Sequence, residues 1–363
     1  MARKHRGISV AALVAAIALA APTAWAQTAS ERKWEVEGHG GFATSTTPTG
    51  GTAATLPAGA SFITLAGSTS RYEPSWLFGD GAVLINGINS VLAPTAKITP
   101  LDVVIGNAAV SRDSGGAAGF RVTRRFGPRY SAEFSFDYAH TPLTFTEKAV
   151  NGIEASRSSF VNAFTGLFRS GPSPNPAVTA TTTFTGGNGS ELFTTGVFGF
   201  DLMTHGKLIP FVVGGGGVAH ASGDTPAVTL VGNYTFTVFS PAAINETDRV
   251  TIRVSGKSNS PIGVFGGGVR YVGSPRWGIR GDVRFLAGGG THDVLVDASP
   301  SVVLSTPGVI LISPPNPSAV FSSANSSTSR SSLTAPAISG LRTFTASGSV
   351  LRTKITAGVY VRF

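Results

Sequence analysis

Apolar and polar residues alternate with a period of two in eight stretches of about ten residues. Lys33–Phe42 sets Trp34 and Val36 against Glu35, Glu37 and His39, and Gly116–Phe126 sets Phe120, Val122 and Phe126 against Arg121, Thr123 and Arg125. Tyr130–His140 sets Ala132, Phe134, Phe136 and Tyr138 against Ser131, Glu133, Ser135 and Asp137. Leu192–Met203 keeps Phe198, Phe200 and Leu202 on one face, and Lys207–His220 follows it. Pro261–Gly273 sets Phe265, Val269 and Tyr271 against Arg270, while Trp277–Gly289 sets Trp277, Ile279, Val283 and Phe285 against Arg280, Asp282 and Arg284. In the last stretch, Ser349–Phe363, the residues Ile355, Ala357, Val359, Val361 and Phe363 alternate with Thr356, Gly358, Tyr360 and Arg362. Each stretch predicts a strand with two chemically different faces.

The connections between these strands alternate strictly in length. Gly-Pro-Arg, Thr-His-Gly and Ser-Pro-Arg form three tight turns. The other four connections are long: Ala43–Gly115, Thr141–Glu191, Ala221–Ser260 and Gly290–Gly348. In an antiparallel meander this puts every short turn and both ends of the strand series on one side, with every long loop on the other. The pattern predicts an all-β fold: a closed, antiparallel, up-and-down transmembrane β-barrel of about eight strands, with long external loops and short periplasmic turns. Lipid offers no partner for a backbone amide, so a membrane sheet must close on itself, apolar outside and polar within. Trp34, Phe126, Tyr130, Tyr271, Trp277 and Phe363 cluster near the short-turn end, where an interfacial aromatic belt would lie. A soluble β-sandwich with incidental aromatics is the competing reading.

The first residues supply the context. Arg3, Lys4 and Arg6 precede an apolar run, and Ala24 and Ala26 form an A-x-A cleavage site. Residues 1–26 are therefore expected to be a cleaved signal peptide and 27–363 a single outer-membrane barrel domain, the alternative being an uncleaved anchor. Losing the three basic residues lowers the formal charge from +9 to +6. No later stretch reaches the ~20 apolar residues of a spanning helix. With no Cys, disulfides and thiolate metal sites are excluded. Gly is 46 of 363 residues, well above the usual ~7%. The 42% hydrophobic content, spaced in strands, argues against disorder.

Candidate chemistry lies first on the polar faces. Glu35, Glu37, Arg121, Arg125, Glu133, Asp137, Arg270, Arg280, Asp282, Arg284, Arg352, Lys354 and Arg362 all point to the expected lumen. An eight-stranded barrel is just wide enough for side chains to fill it, so these groups should form a paired network, because buried unpaired charge is costly. If the lumen instead conducts, the eight cations against five carboxylates in this set favour anions. Closure brings Arg362 beside Glu35. It also sets Arg270 opposite Arg280, which needs a carboxylate such as Asp282 between them. The Gly runs in Lys207–His220, Pro261–Gly273 and Trp277–Gly289 lack the Lys-Ser/Thr of a phosphate loop. They read instead as strand glycines that leave room for long Arg side chains.

His39, His140, His205, His220 and His292 are scattered, with no metal-ligand spacing, so no cofactor or metal is expected. His140 and His220 would sit near the outer rim, where a lipid-acting enzyme would need them. The loops are rich in Ser, Thr, Gly, Pro and Asn, with near low-complexity runs in Thr179–Ser190 and Ser322–Ser332; they are either passive cover or binding surface. Gly81–Ala93 and Leu101–Val110 are apolar and β-prone, so they either extend the barrel as a hairpin or add a transmembrane pair; extension is the preferred reading. The basic charge is dispersed rather than patched, which argues against nucleic acid.

With these strands, loops and the terminal alternation, the chain resembles the eight-stranded outer-membrane β-barrel family, that of the membrane domain of outer membrane protein A. In that family the last strand is read by the barrel assembly machinery, with a terminal Phe and apolar residues at every second position before it. The resemblance implies that role for Ile355, Ala357, Val359, Val361 and Phe363. One departure is Val361, where the family often has Tyr; here Tyr360 lies beside it. The likeness implies fold and outer-membrane location, with outer-membrane lipid, lipopolysaccharide and the assembly machinery as partners; an extracellular ligand at the loops is one of the two readings left open above. It does not imply an activity. The expected role is a non-catalytic anchor or surface interaction scaffold; a narrow anion-favouring pore is the alternative and a lipid-acting enzyme a third.

Overall fold

Each alternating stretch is a strand in the computed structural model, which describes residues 33–363 apart from 49, 58–60, 64–68, 72, 171–175, 238–242, 257–258, 305–320, 323–328 and 331–336. The proposed leader, with Ala24 and Ala26, lies outside the described residues. Numbered along the whole chain, the eight strands are β1 (Trp34–Ser45), β6 (Gly115–Arg125), β7 (Tyr130–Ala139), β10 (Ser190–Asp201), β11 (Leu208–Ser222), β14 (Asn259–Val272), β15 (Trp277–Ala298) and β19 (Ile338–Arg362). Successive members pair antiparallel, and β19 pairs with both β15 and β1, so the pairing returns to its start.

Because side chains alternate along a strand, this register gives every strand one inward and one outward face. On β7, Glu133, Ser135 and Asp137 are buried while Phe134, Phe136 and Tyr138 are exposed. The same holds for Phe198 on β10, Phe265 and Val269 on β14, and Ile355, Val359 and Val361 on β19, all exposed.

The short turns are closed by backbone bonds, Phe126 N to Tyr130 O at 3.0 Å and Ser274 N to Trp277 O at 2.9 Å. Gly206 turns the chain between β10 and β11 at φ +104°, a conformation that favours glycine. At this same end Trp34 and Phe363 exchange two backbone hydrogen bonds, at 3.1 and 3.0 Å. The final residue is thereby held.

The main sheet has thirteen strands rather than about eight. The surplus lies in segments that the sequence reading treated as loops: β2 (Gly50–Ala53), β9 (Ala177–Thr185), β12 (Ala227–Thr237), β13 (Ala243–Gly256) and β16 (Ser301–Leu304). Two of the eight strands are also longer than their alternation suggested, β15 with 22 residues and β19 with 25. Past Gly288, β15 exchanges β14 for β13 as its neighbour, and from His292 to Ala298 it lies between β13 and β19. A part of this same sheet, β2-β19-β15-β13-β12-β9, thus rises from one side of the ring. Smaller two-stranded sheets join β3 (Ser61–Ile63) to β4 (Thr69–Arg71), β5 (Val110–Arg112) to β8 (Leu143–Phe145), and β17 (Phe321–Ser322) to β18 (Ser329–Arg330).

Three helices cover one face of the rising sheet: α1 (Gly79–Leu92), α2 (Asp102–Ile105) and α3 (Glu147–Arg169). The first long loop therefore contains helix where the sequence reading weighed a hairpin or an extra strand pair. Ala82, Ile85 and Asn89 fall on one helical face and are buried, and Asn89 Nδ2 donates to the Ala163 carbonyl of α3 at 3.1 Å. In α3 the buried residues Ala149, Ile153, Ser156, Phe160, Ala163, Phe164, Leu167 and Phe168 recur at helical spacing. Thr146 caps the helix by accepting from Ala149 N at 3.2 Å. The Phe160, Phe164 and Phe168 rings pack on Tyr234 of β12, with Phe164 stacked on Tyr234 at 4.4 Å between centroids. A side chain at residue 232 would collide with the Phe160 ring, which explains Gly232. Val228, Leu230, Val250, Ile252, Val294, Val296, Phe344 and Ala346 complete this core. The helices and the rising sheet form a cap on the long-loop end of the ring.

Candidate functional site

The inward residues of the ring meet in layers, and every member of the sequence-derived charge set is among them. Nearest the short turns, Arg362 Nε donates to Glu35 Oε1 at 2.9 Å, the pair that strand order had set side by side. Arg270 donates to Asp201 at 2.5 Å and lies 3.6 Å from Glu35, while Arg125 reaches the same Asp201 at 2.6 Å. Arg270 and Arg280 are directly opposed in register. Their repulsion is relieved because each has its own carboxylates, Glu35 and Asp201 for Arg270, and Glu133, Glu37 and Asp282 for Arg280.

The middle layer sets three guanidiniums against three carboxylates. Arg121 contacts Asp282 at 2.8 Å and Glu37 at 2.9 Å. Arg280 contacts Glu133 at 2.8 Å, and Arg284 contacts Glu133 at 2.5 Å and Asp282 at 3.1 Å. The Thr356 hydroxyl donates to Asp282 at 2.6 Å. Four strand positions separate β7 from β15 in the cyclic pairing, so the Arg280–Glu133 bond bridges opposite walls. Above it, Asp137 of β7 takes Lys354 of β19 and His39 of β1, each at 2.5 Å, with the Ser135 hydroxyl at 3.1 Å. Higher still, Arg352 of β19 donates to Glu191 of β10 at 2.8 Å, again across the ring.

Glycines make room for these side chains. A Cβ on Gly119 would stand 2.7 Å from an Asp137 carboxylate oxygen, and one on Gly358 would stand 2.7 Å from a Glu37 oxygen. The aromatic rings Phe211 and Phe193 line part of the interior, with the Arg280 guanidinium 4.2 Å from the Phe211 centroid and Lys354 5.9 Å from that of Phe193. With Val197, Val213, Ile262, Val264 and Leu286 they form an apolar wall on β10, β11, β14 and β15.

Three members of this interior were missing from the sequence-derived set. Asp201 shares the parity opposite to Phe198, Phe200 and Leu202, so strict alternation along β10 would have found it. Glu191 lies one residue before that stretch as it was drawn, and His39 was placed on the polar face without a role. Adding Asp201 and Glu191 gives eight cations against seven carboxylates, which removes most of the charge excess behind the anion-pore reading.

The residues expected to signal assembly, Ile355, Val359, Val361 and Phe363, lie on the exposed face of the last strand and its end. His220 is exposed and shares a hydrogen bond with the Asn259 amide oxygen at 2.6 Å. His140 is exposed beyond β7.

Above Glu191 lies a cavity of about 510 Å³ at the junction of ring and cap. Arg112 of β5, Arg352, Glu191 and His292 bring charge and hydrogen-bonding capacity to its wall, and Leu143, Ala219 and Val350 bring apolar surface. It draws on β5, β8, β10, β11, β15 and β19, which are distant in sequence, so no local motif announced it.

A separate polar cluster sits in the core of the cap. The Tyr234 hydroxyl donates to Glu246 and accepts from Trp76 Nε1 at 2.7 Å. Asp248 accepts from Trp76 N at 2.7 Å and from the Ser75 hydroxyl at 3.0 Å. Burial without a cation pushes the Glu246 carboxyl up to about 8 and that of Asp248 to about 7.

No family model matches the chain, and no curated protein matches it. Among solved structures, the chain is similar to the outer membrane protein OprG from Pseudomonas aeruginosa at 10% identity, covering 93% of this chain and 99% of that one, with a TM-score of 0.36. It is similar to the outer membrane protease OmpT from Escherichia coli at 6% identity, covering 91% and 97%, with a TM-score of 0.24. It is also similar to the toluene transporter TodX from P. putida at 9% identity, covering 91% and 90%, with a TM-score of 0.18. At these identities and TM-scores the likenesses carry no argument about fold or activity.

Proposed function

We propose that the protein is an integral outer-membrane protein: a closed eight-stranded barrel that anchors a folded external cap, acting as a non-catalytic surface interaction scaffold. The observation that carries this reading is the inversion of the ring's two faces. Large apolar side chains stand outside, with Phe198 75% exposed, while Arg121, Arg284 and Lys354 are among the largest fully buried side chains. In water that arrangement would sacrifice apolar burial and bury charge at once. In a bilayer each face meets its preferred surroundings, and the cyclic pairing satisfies the backbone. Trp34, Phe126, Tyr130, Tyr271, Trp277 and Phe363 are all exposed near the short-turn end, as a girdle at one membrane interface requires.

Anchoring is favoured over conduction because ion pairs bridge opposite walls at more than one level and the charges nearly balance. The barrel is then a sealed support, and interaction falls to the cap. Two measurements test this. The folded protein should fractionate with the outer membrane and change gel mobility on boiling. In a planar bilayer it should remain silent; a reproducible anion-favouring open level would establish the pore instead.

A further inference from the structure

The cavity at the junction of ring and cap has the size and lining of a small-molecule site. Its volume of about 510 Å³ falls within the ~300–1,000 Å³ of ligand pockets. Its wall is polarised. Leu143 and Val350 offer apolar contact, while Arg112, Arg352 and His292 offer donors.

Away from the solvent-exposed Asp224, the fixed charges of the wall do not cancel. Glu191 is the carboxylate between the two guanidiniums. Its Oε1 takes Arg352 Nε at 2.8 Å, and its Oε2 takes the Thr141 hydroxyl at 3.3 Å. Arg112 Nε stays 3.8 Å from Glu191, and its Nη1 is spent on the Thr141 carbonyl at 2.9 Å. One carboxylate thus serves two guanidiniums, and the other acid on the wall, Asp224, is exposed to water.

Donors are also left over. Arg352 and His292 are 8% and 7% exposed, and Arg352 Nη1 and His292 Nε2 are buried without a hydrogen-bond partner. A buried guanidinium N–H without an acceptor is costly, and so is His292 Nε2 in the tautomer that carries its proton there. With a side-chain rotation toward the cavity, an anion there could accept from these groups and balance the surplus positive charge.

We propose that this cavity binds a small organic monoanion, a carboxylate on an apolar body, whose oxygens accept from Arg112, Arg352 and His292 while the body lies against Leu143 and Val350. A single surplus charge matches a carboxylate better than a phosphate dianion. The inference goes beyond the anchoring role and rests on the cavity alone, so it stands whether or not the ring lies in a membrane.

The test is calorimetric titration of the full chain in detergent micelles, its folded state checked by gel mobility before boiling. Benzoate is the probe, with benzyl alcohol and inorganic phosphate as comparisons. Benzoate should bind saturably at one site, and both comparisons at least tenfold more weakly. Arg112→Gln should weaken benzoate tenfold or more, and Leu143→Trp, which fills the cavity from the cap side, should abolish binding without loss of the folded form. Absence of saturable benzoate binding overturns the proposal, as does equal binding of benzyl alcohol or phosphate. An unchanged affinity in both folded variants also overturns it.

Discussion

Asp282 is the point at which the interior network can be tested most severely. Its two oxygens take Arg121 at 2.8 and 3.1 Å, Arg280 at 3.2 Å, Arg284 at 3.1 Å and the Thr356 hydroxyl at 2.6 Å. Replacing it by Asn keeps the shape and removes the charge. The middle layer then holds three guanidiniums against Glu37 and Glu133, and an amide group faces cations that it cannot satisfy. Breaking a buried ion pair by removing one partner costs about 3–5 kcal/mol, because the other charge stays buried and unpaired. Asp282→Asn should therefore destabilise the folded form by that amount, read as a lower denaturant midpoint for the loss of the fast-migrating unboiled band. Arg284→Met in the same chain restores equal numbers in the layer, and Glu133 keeps Arg280 at 2.8 Å. The double variant should recover at least half of the loss, a coupling well above the ~0.5 kcal/mol seen between independent sites. A cost below about 1 kcal/mol for Asp282→Asn, or simple addition of the two effects, would refute a network held by mutual neutralisation.

The cap should be sensitive to alkali. Glu246 and Asp248 have folded pKa values of about 8 and about 7, raised by burial above their ordinary carboxylate values of 4.5 and 3.8. Their contribution to stability is present in full below about pH 4, falls progressively above it, and is gone once pH has risen through 7 to 8; hydrogen exchange of α3, corrected for its intrinsic pH dependence, should accelerate from about pH 4 to 8, and Glu246→Gln should flatten the profile. Thr146→Ala removes the acceptor for Ala149 N and should destabilise the cap by about 1 kcal/mol, seen as faster exchange in the first turn of α3 with ring strands unchanged.

The ring was legible in the sequence because each of its strands separates two environments, and that separation is written residue by residue. Glu133 and Phe134 are neighbours in the chain and face opposite ways, so parity alone sorts them. The same parity placed Arg362 beside Glu35 once the last strand was paired with the first. The cap was illegible to a search for period two. Ile153, Phe160, Phe164 and Leu167 carry the helical period plainly, and Thr146 precedes them with its capping hydroxyl, but they lie in the connection Thr141–Glu191, which was read only as a long loop. The Thr-rich run of β9 read as low complexity although threonine suits a pleated surface. The extensions of β15 and β19 alternate as their lower halves do, yet their buried partners are helices, so Val294, Val296 and Phe344 face a core that only the long connections supply. The cavity lay furthest from view, since Arg112, Glu191, His292 and Arg352 come together only when ring and cap are both in place.

The central claim is that the apolar face of the ring meets lipid. The chain has no Cys, so Phe198→Cys places a single thiol at the most exposed large hydrophobic position among the described residues. In protein reconstituted into lipid vesicles, the account predicts that this thiol resists a membrane-impermeant maleimide and reacts fully once the protein is unfolded in denaturant. Rapid labelling of the folded, vesicle-bound protein by the impermeant reagent would put Phe198 in water and contradict the account.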